Sequence, residues 1–354
     1  MDAARQQCST HMRTEIFEQP AALRATIGAL LPRTAEVAAI AQRTRQVLFF
    51  ARGTSDNAAV YGTYLIQTRT GRLASLGSPS VATTYKSRID LDGVMAVGLS
   101  QSGRTEEIVE TLQWARDCGA SVVGITNGAG SPLAELSDVA LVTEAGQERA
   151  VPATKTFTCQ LAALAVLAIG LGADLDAGQL KQAPAVIEDL LAATTTAAYG
   201  IEPIVAELAG VDGLMVSARG LAYSAALELA LKIKEACYLH AMGISWADLQ
   251  HGPIAVVDAK TPAVIMAAES GPTQAAAVAL AKRVTDAGAH AYAIGGGADL
   301  AAVSSRALPG PALPEWLAPL GLIIPGQILT EELSRRLGID PDHPRGLSKV
   351  TQTA

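Results

Sequence analysis

The chain repeats itself, and the repeat restricts the fold more than any other feature. Ala51-Arg52-Gly53 closes one apolar run, and Ala218-Arg219-Gly220 closes another 167 positions later. Ser102-Gly103 and Ser270-Gly271 lie 168 apart, and Gly119 and Gly288 lie 169 apart. In the first two pairs a short apolar run ends in a Gly turn and helical periodicity follows. In the third, Gly119 and Gly288 open the next apolar run. Short, unbroken apolar runs are strands buried on both faces. Strands of that kind alternating with helices make a parallel sheet covered by helices on both sides. The reading is therefore α/β: two similar doubly wound parallel-sheet domains in tandem. We place a helical segment at 1–34, the first domain at 35–185, the second at 200–335 and a C-terminal tail at 336–354. The stretch around 173–195 reads as a helical linker. Pro341 and Pro344 break any pattern in the tail.

A chain of 354 residues with 49% hydrophobic and 17% charged residues can build the large core that two such domains need. With only 4% aromatics, that core is Ala, Leu, Val and Ile. The net charge of −7 and the lack of a Lys/Arg cluster argue against a nucleic-acid partner. The longest strongly apolar run, 161–171, is too short to span a bilayer and reads as a buried helix. Cys8, Cys118, Cys159 and Cys237 have no metal-ligand spacing. They read as reduced thiols in a cytoplasmic protein, and no metal or cofactor is expected. No signal peptide is visible. Residues 1–11 look detached from the pattern, a better segment begins at Met12, and Pro20 suits a first helical turn.

Two stretches carry chemistry. In 226–253 a helical pattern places Glu228, Lys232 and Glu235 at i, i+4 and i+7 on one face. The extension of that helix carries His240, Trp246, Asp248 and His251, and His251-Gly252-Pro253 ends it at a loop mouth. Acid, base and cation in so short a stretch suit proton transfer on a carbonyl compound, although most such stripes are solvated faces. The second stretch, Ser100-Gln101-Ser102-Gly103-Arg104-Thr105, joins a strand to a helix. Ligands of doubly wound sheets bind at that end of the strands, and helix-start N–H groups favour an anion. A phosphate ester fits there, with Gly103 letting backbone come close, while an ordinary helix cap would leave the same trace. Gly53-Thr54-Ser55 is a second polar turn that could serve the same ligand.

Together, Ser100-Gln101-Ser102-Gly103-x-Thr105, Ala51-x-Gly53-Thr54-Ser55, Glu148-x-x-Val151-x-x-Thr154-Lys155, Leu231-Lys232-x-Lys234-Glu235, His251-Gly252-Pro253 and Arg345-Gly346-Leu347-Ser348-Lys349 resemble the double sugar-isomerase (SIS) domain proteins. That family includes the isomerase half of glucosamine-6-phosphate synthase and stand-alone glucosamine-6-phosphate deaminases. The resemblance implies that Ser100, Gln101, Ser102 and Thr105 hold a sugar phosphate, and that Thr54, Ser55 and Val151 contact the sugar. It implies that Glu235 shuttles a proton between C1 and C2 and that Lys232 stabilises the enediol(amine). His251 would assist ring opening from a neighbouring subunit, making a homodimer with shared sites. Lys349 would close over the site with the tail.

Ala153 and Asp248 depart from the synthase pattern, which has Ser and commonly Glu there. About thirty residues precede the first domain, so no glutaminase domain is expected ahead of it. The expected reaction is thus an isomerising deamination of glucosamine 6-phosphate to fructose 6-phosphate and ammonia. The alternatives are another aminated sugar phosphate, such as galactosamine 6-phosphate or a fructosamine-type conjugate, and a non-catalytic sugar-phosphate-binding regulator. His240 and His290 read as packing or surface residues, and Lys234 as solvent-facing.

Overall fold

A computed structural model describes residues 9–349. Five strands form the first sheet: β1 (Gln46–Phe50), β2 (Leu73–Leu76), β3 (Val94–Leu99), β4 (Ser121–Thr126) and β5 (Val139–Val142). Five form the second: β6 (Gly213–Ala218), β7 (His240–Ser245), β8 (Ala263–Ala267), β9 (Ala291–Gly295) and β10 (Arg306–Leu308). The orders are β2-β1-β3-β4-β5 and β10-β9-β8-β6-β7. Each sheet is parallel throughout. Read from the third strand of each set, the two orders are the same, so the sequence repeat is a repeat of topology. Every residue of β3 and β8 is buried, as a central strand covered on both faces requires.

Helices join the halves into one core. Helix Lys155–Gly170 is buried on all sides except at Ile169, and it packs on helices Gln19–Leu30 and Thr54–Thr70. Its Leu161, Leu164 and Leu167 are fully buried, each contributing about 1.5–3 kcal/mol. Helix Tyr223–Cys237 follows β6 as helix Thr54–Thr70 follows β1, and these two equivalent helices pack against each other across the domain boundary. Helix Ala318–Arg336 closes the other side of Tyr223–Cys237. A continuous apolar cluster therefore runs from Met12 and Val47 through Leu164 and Leu229 to Leu333. Helix Ala177–Thr194 connects the domains, and Pro20 stands in the first turn of helix Gln19–Leu30. Among the described residues no helix is long and apolar enough to cross a membrane.

Three expectations change. Helix Tyr223–Cys237 does not extend through His240: Tyr238 turns left-handed at φ 57°, and β7 follows. β7 is a half-exposed edge strand with Gly243 in it, so it lacks the apolar run that marks the other strands. Residues 9–11 are not detached. Thr10 caps helix His11–Phe17 and donates to Glu331, while the His11 and Met12 N–H groups each donate to the Asp342 carboxylate at 2.7 Å. Finally, the tail is held despite its lack of periodicity. Asp342 is buried, its carbonyl accepts from Val151 N–H, and the Arg345 guanidinium stacks 4.3 Å from the Tyr238 ring centre. Cys8 lies outside the described residues. Of the other cysteines, Cys118, Cys159 and Cys237 are free thiols.

Candidate active site

In a sheet of this order the chain reverses direction between β1 and β3, and the loops leaving those strands open a crevice. A cleft of about 330 Å³ occupies that place. The turn after β1 lines it with Arg52, Thr54 and Ser55; the turn after β3 lines it with Ser100, Gln101, Ser102 and Thr105. Val151 and Ala153 come from the loop before helix Lys155–Gly170, and Leu347, Ser348 and Lys349 from the tail. Lys232 and Glu235 enter from the second domain.

The 100–105 turn is wired internally. Ser100 Oγ accepts from Gly103 N–H at 3.2 Å and lies 3.0 Å from Thr105 Oγ1, and Ser102 Oγ accepts from Arg104 N–H at 3.2 Å. Thr105 is the cap residue of helix Glu106–Asp117, but its side chain makes no capping bond. The turn thus aims a helix N-terminus and three hydroxyls at the cleft, an arrangement that suits an anion. Gly103 also has a packing role that the sequence did not suggest. At φ 64° its missing Cβ would fall 2.1 Å from Ser131 Oγ, so glycine is required by packing beneath the turn.

The acidic stripe faces inward, not to solvent. Glu228 is fully buried and accepts from Thr54 Oγ1 at 2.9 Å and Asn57 Nδ2 at 2.8 Å, both of the first domain. Lys232 Nζ lies 3.4 Å from Glu228, donates to Thr54 Oγ1 at 3.2 Å and donates to Glu235. Burial pushes the Glu228 carboxyl up to about 7, although Lys232 and the two donors oppose it. Burial alone would lower the Lys232 pKa, but the flanking carboxylates of Glu228 and Glu235 hold it above its ordinary value. Lys232 therefore stays a cation at neutral pH. Glu235 is 22% exposed, the acid of the stripe that meets the cleft.

The tail supplies a further cation. Lys349 Nζ donates to Glu148 Oε2 at 2.6 Å and to the Ala150 carbonyl at 2.7 Å. Burial raises the Glu148 carboxyl, but Lys349 and donors from Thr154 and Thr156 outweigh it and hold it below the usual range. His251 is not brought to the cleft. It sits exposed just after the short helix Trp246–Gln250. His240, His290 and Lys234 are also exposed, and His290 stacks on Tyr292. Among the described residues no cluster could hold a metal ion.

The sequence reading quoted Arg52 and Glu148 within motifs but gave neither a role, and it did not find the tail contacts of Asp342 and Tyr238. Arg52 was visible as the shared middle residue of the two Ala-Arg-Gly triplets. The others depend on contacts between segments more than a hundred residues apart.

Comparison with known proteins agrees with this geometry. The family model for the SIS domain matches residues 40–170 and 207–307. Glutamine–fructose-6-phosphate aminotransferase (isomerizing) of Pyrococcus horikoshii is 34% identical over 341 residues, which cover 96% of this chain and 57% of that protein. The chain thus spans little more than half the length of that relative. The structure of the C-terminal domain of glucosamine-fructose-6-phosphate aminotransferase from Francisella tularensis superposes with a TM-score of 0.85 at 28% identity, covering 97% of this chain and 100% of that one. Glucosamine-6-phosphate deaminase from Thermotoga maritima shares the fold, with a TM-score of 0.78 at 22% identity over 97% of this chain and 100% of that one.

Proposed function

Because the chain belongs to the SIS domain family, we propose that its cleft isomerises an amino-sugar 6-phosphate and releases the nitrogen as ammonia. One observation carries the reading: the Lys232 ammonium and Glu235 carboxylate of one domain, backed by buried Glu228, meet a hydroxyl-lined helix start of the other in a single cleft. The helix start and the hydroxyls of Ser100, Ser102 and Thr105 take the phosphate. That places an open-chain sugar with C1 and C2 toward Glu235 and Lys232. Glu235 removes the C2 proton and returns it to C1, while O1 gains a proton and the nitrogen loses one, so a 2-amino aldose becomes a C2 imine. Lys232, held cationic, offsets the negative charge that develops on the oxygen of the enolamine. Water then adds to C2 and ammonia leaves, giving a ketose 6-phosphate. The sum is one aldosamine phosphate and one water to one ketose phosphate and one ammonia. Lys349 lines the same cleft as a further cation. His251 is too exposed to act in its own chain's cleft, so we assign it to the cleft of a second copy in a homodimer.

The direct test is ammonia release from glucosamine 6-phosphate, galactosamine 6-phosphate, a fructosamine 6-phosphate conjugate and unphosphorylated glucosamine, with fructose 6-phosphate measured in parallel. Equimolar ammonia and fructose 6-phosphate from glucosamine 6-phosphate alone is the expected result. Binding of the esters without turnover would make the protein a sensor instead.

A further inference from the structure

We infer that Arg52 is a phosphate ligand of the cleft, held ready by a shared grip on Glu107. The inference rests on the phosphosugar reading above. Arg52 is the last residue before Gly53 at the end of β1, and it lines the same cleft as Ser100, Ser102 and Thr105. Its guanidinium donates from Nε at 2.8 Å and from Nη2 at 2.7 Å to the two oxygens of Glu107. A guanidinium has five N–H groups in a rigid plane, so this fork leaves three for another acceptor. The Arg52 side chain is 47% exposed, whereas Glu107 is 13% exposed.

Glu107 is the reason the arrangement points to phosphate. It lies in the first turn of helix Glu106–Asp117, two residues after Thr105. A carboxylate there sits beside the place where the helix start favours an anion, and uncompensated it would repel a phosphate dianion. Arg52 cancels that charge and presents its other edge to the cleft. The other cleft cations are also paired, Lys232 with Glu228 and Glu235 and Lys349 with Glu148, but neither of them meets an acid of the helix that starts at the cradle. Arg219 holds the matching position in the second repeat, but it is exposed and lines no part of this cleft. The triplet alone does not make the site; the acid opposite it does.

Titration calorimetry on the full chain tests this, with glucosamine 6-phosphate, inorganic phosphate and unphosphorylated glucosamine as probes. Arg52→Ala should weaken both phosphate probes by about tenfold or more, as expected for a lost charge-assisted contact. Affinity for glucosamine should not move. Arg52→Lys should fall between, and Glu107→Gln should tighten both phosphate probes by releasing the fork. Phosphate affinity of Arg52→Ala within twofold of wild type would overturn the assignment. So would an equal loss for phosphorylated and unphosphorylated probes, which marks a structural role. Wild-type protein that binds no phosphate probe would overturn the phosphosugar reading, and this inference with it. Unchanged circular dichroism of Arg52→Lys and Glu107→Gln keeps the comparison sound if Arg52→Ala folds poorly.

Discussion

The two domains share a strand order and an Ala-Arg-Gly turn, but the turns after their central strands differ, and the cleft described above lies at the switch of the first. After β3 comes Ser-Gln-Ser-Gly-Arg-Thr; after β8, at the equivalent place, come Ala268, Glu269, Ser270 and Gly271. There Glu269 stands where the first copy has a neutral residue. The carboxyl of Glu315 packs on the turn, with its carbon 3.0 Å from where a Gly271 Cβ would be. Burial raises that carboxyl's pKa. Such a turn is a poor anion site. The second domain contributes differently, through the helix after its first strand. Helix Tyr223–Cys237 brings Lys232 and Glu235 to the first domain's cleft and buries Glu228 behind them against Thr54 and Asn57. In the reading proposed above, one copy would hold the ligand with loops and the other would bring acid and base on a helix.

If that division is right, damage to the two copies should differ in kind. The largest effect is expected from Glu235→Gln, which keeps the shape and removes the base. Turnover should drop by about 10²–10⁴ with binding held within a few-fold. Mixed with His251→Ala chains, it should recover part of the activity in hybrid dimers. Wild-type turnover in Glu235→Gln would remove it from the mechanism, and hybrids that form without rescue would place the site within one chain.

Loss of the tail comes next and should damage both function and stability. Removing 346–354 takes Lys349 from the fully buried Glu148. Breaking a buried pair costs roughly 3–5 kcal/mol, and the low end applies because Lys349 is 24% exposed. Truncation should therefore abolish most activity and lower the melting temperature by several degrees. Glu148→Gln added to the truncation should restore much of the melting temperature but none of the activity. A truncated protein with wild-type melting would show that Glu148 does not depend on the tail.

On the binding side, Ser102→Ala and Thr105→Ala should each raise KM about tenfold or more, since a hydrogen bond to a charged group contributes roughly 1.5–3 kcal/mol. Turnover at saturation should stay near wild type. An equal fall in kcat would mean that the cradle also orders the chemistry, and the division of labour would blur.

The smallest effect concerns pH. Glu228 titrates near 7 when folded, against about 4.5 for an ordinary glutamate, so the folded state holds its proton more tightly. That contribution is greatest below pH 4.5, fades as pH rises toward 7 and is absent above it. Melting temperature should decline across that window, and Glu228→Gln should flatten the decline. An unchanged slope would assign it to other groups.

Much of this was legible in the sequence for physical reasons. Strands buried on both faces leave continuous apolar runs, so β1, β3, β6 and β8 stood out and revealed the repeat. The stripe of Glu228, Lys232 and Glu235 followed from the 3.6-residue period, but its partner did not. Periodicity says which side chains share a face, not that Thr54 and Asn57 meet them from 171 or more residues away. β7 was hidden because an edge strand needs no apolar run. Asp342 was hidden because its contribution, capping the helix at His11, involves residues at opposite ends of the chain. Gly103 was identified as special, and the structure adds a packing reason, its neighbour Ser131, that the sequence could not show.

The bonds from Thr54 and Asn57 to Glu228 also bear on how a substrate gets in. Many two-domain enzymes admit ligands by bending at a hinge between lobes. Here such bending would pull a buried carboxylate away from its donors, so the lobes are stitched where a hinge would have to open. Access must be managed by something smaller. The chain between the Arg345–Tyr238 stack and Lys349 is a strap of a few residues that crosses the cleft wall. Its release would break the Lys349–Glu148 pair but leave the bonds from Thr54 and Asn57 in place, so a gate of this size asks nothing of the two lobes.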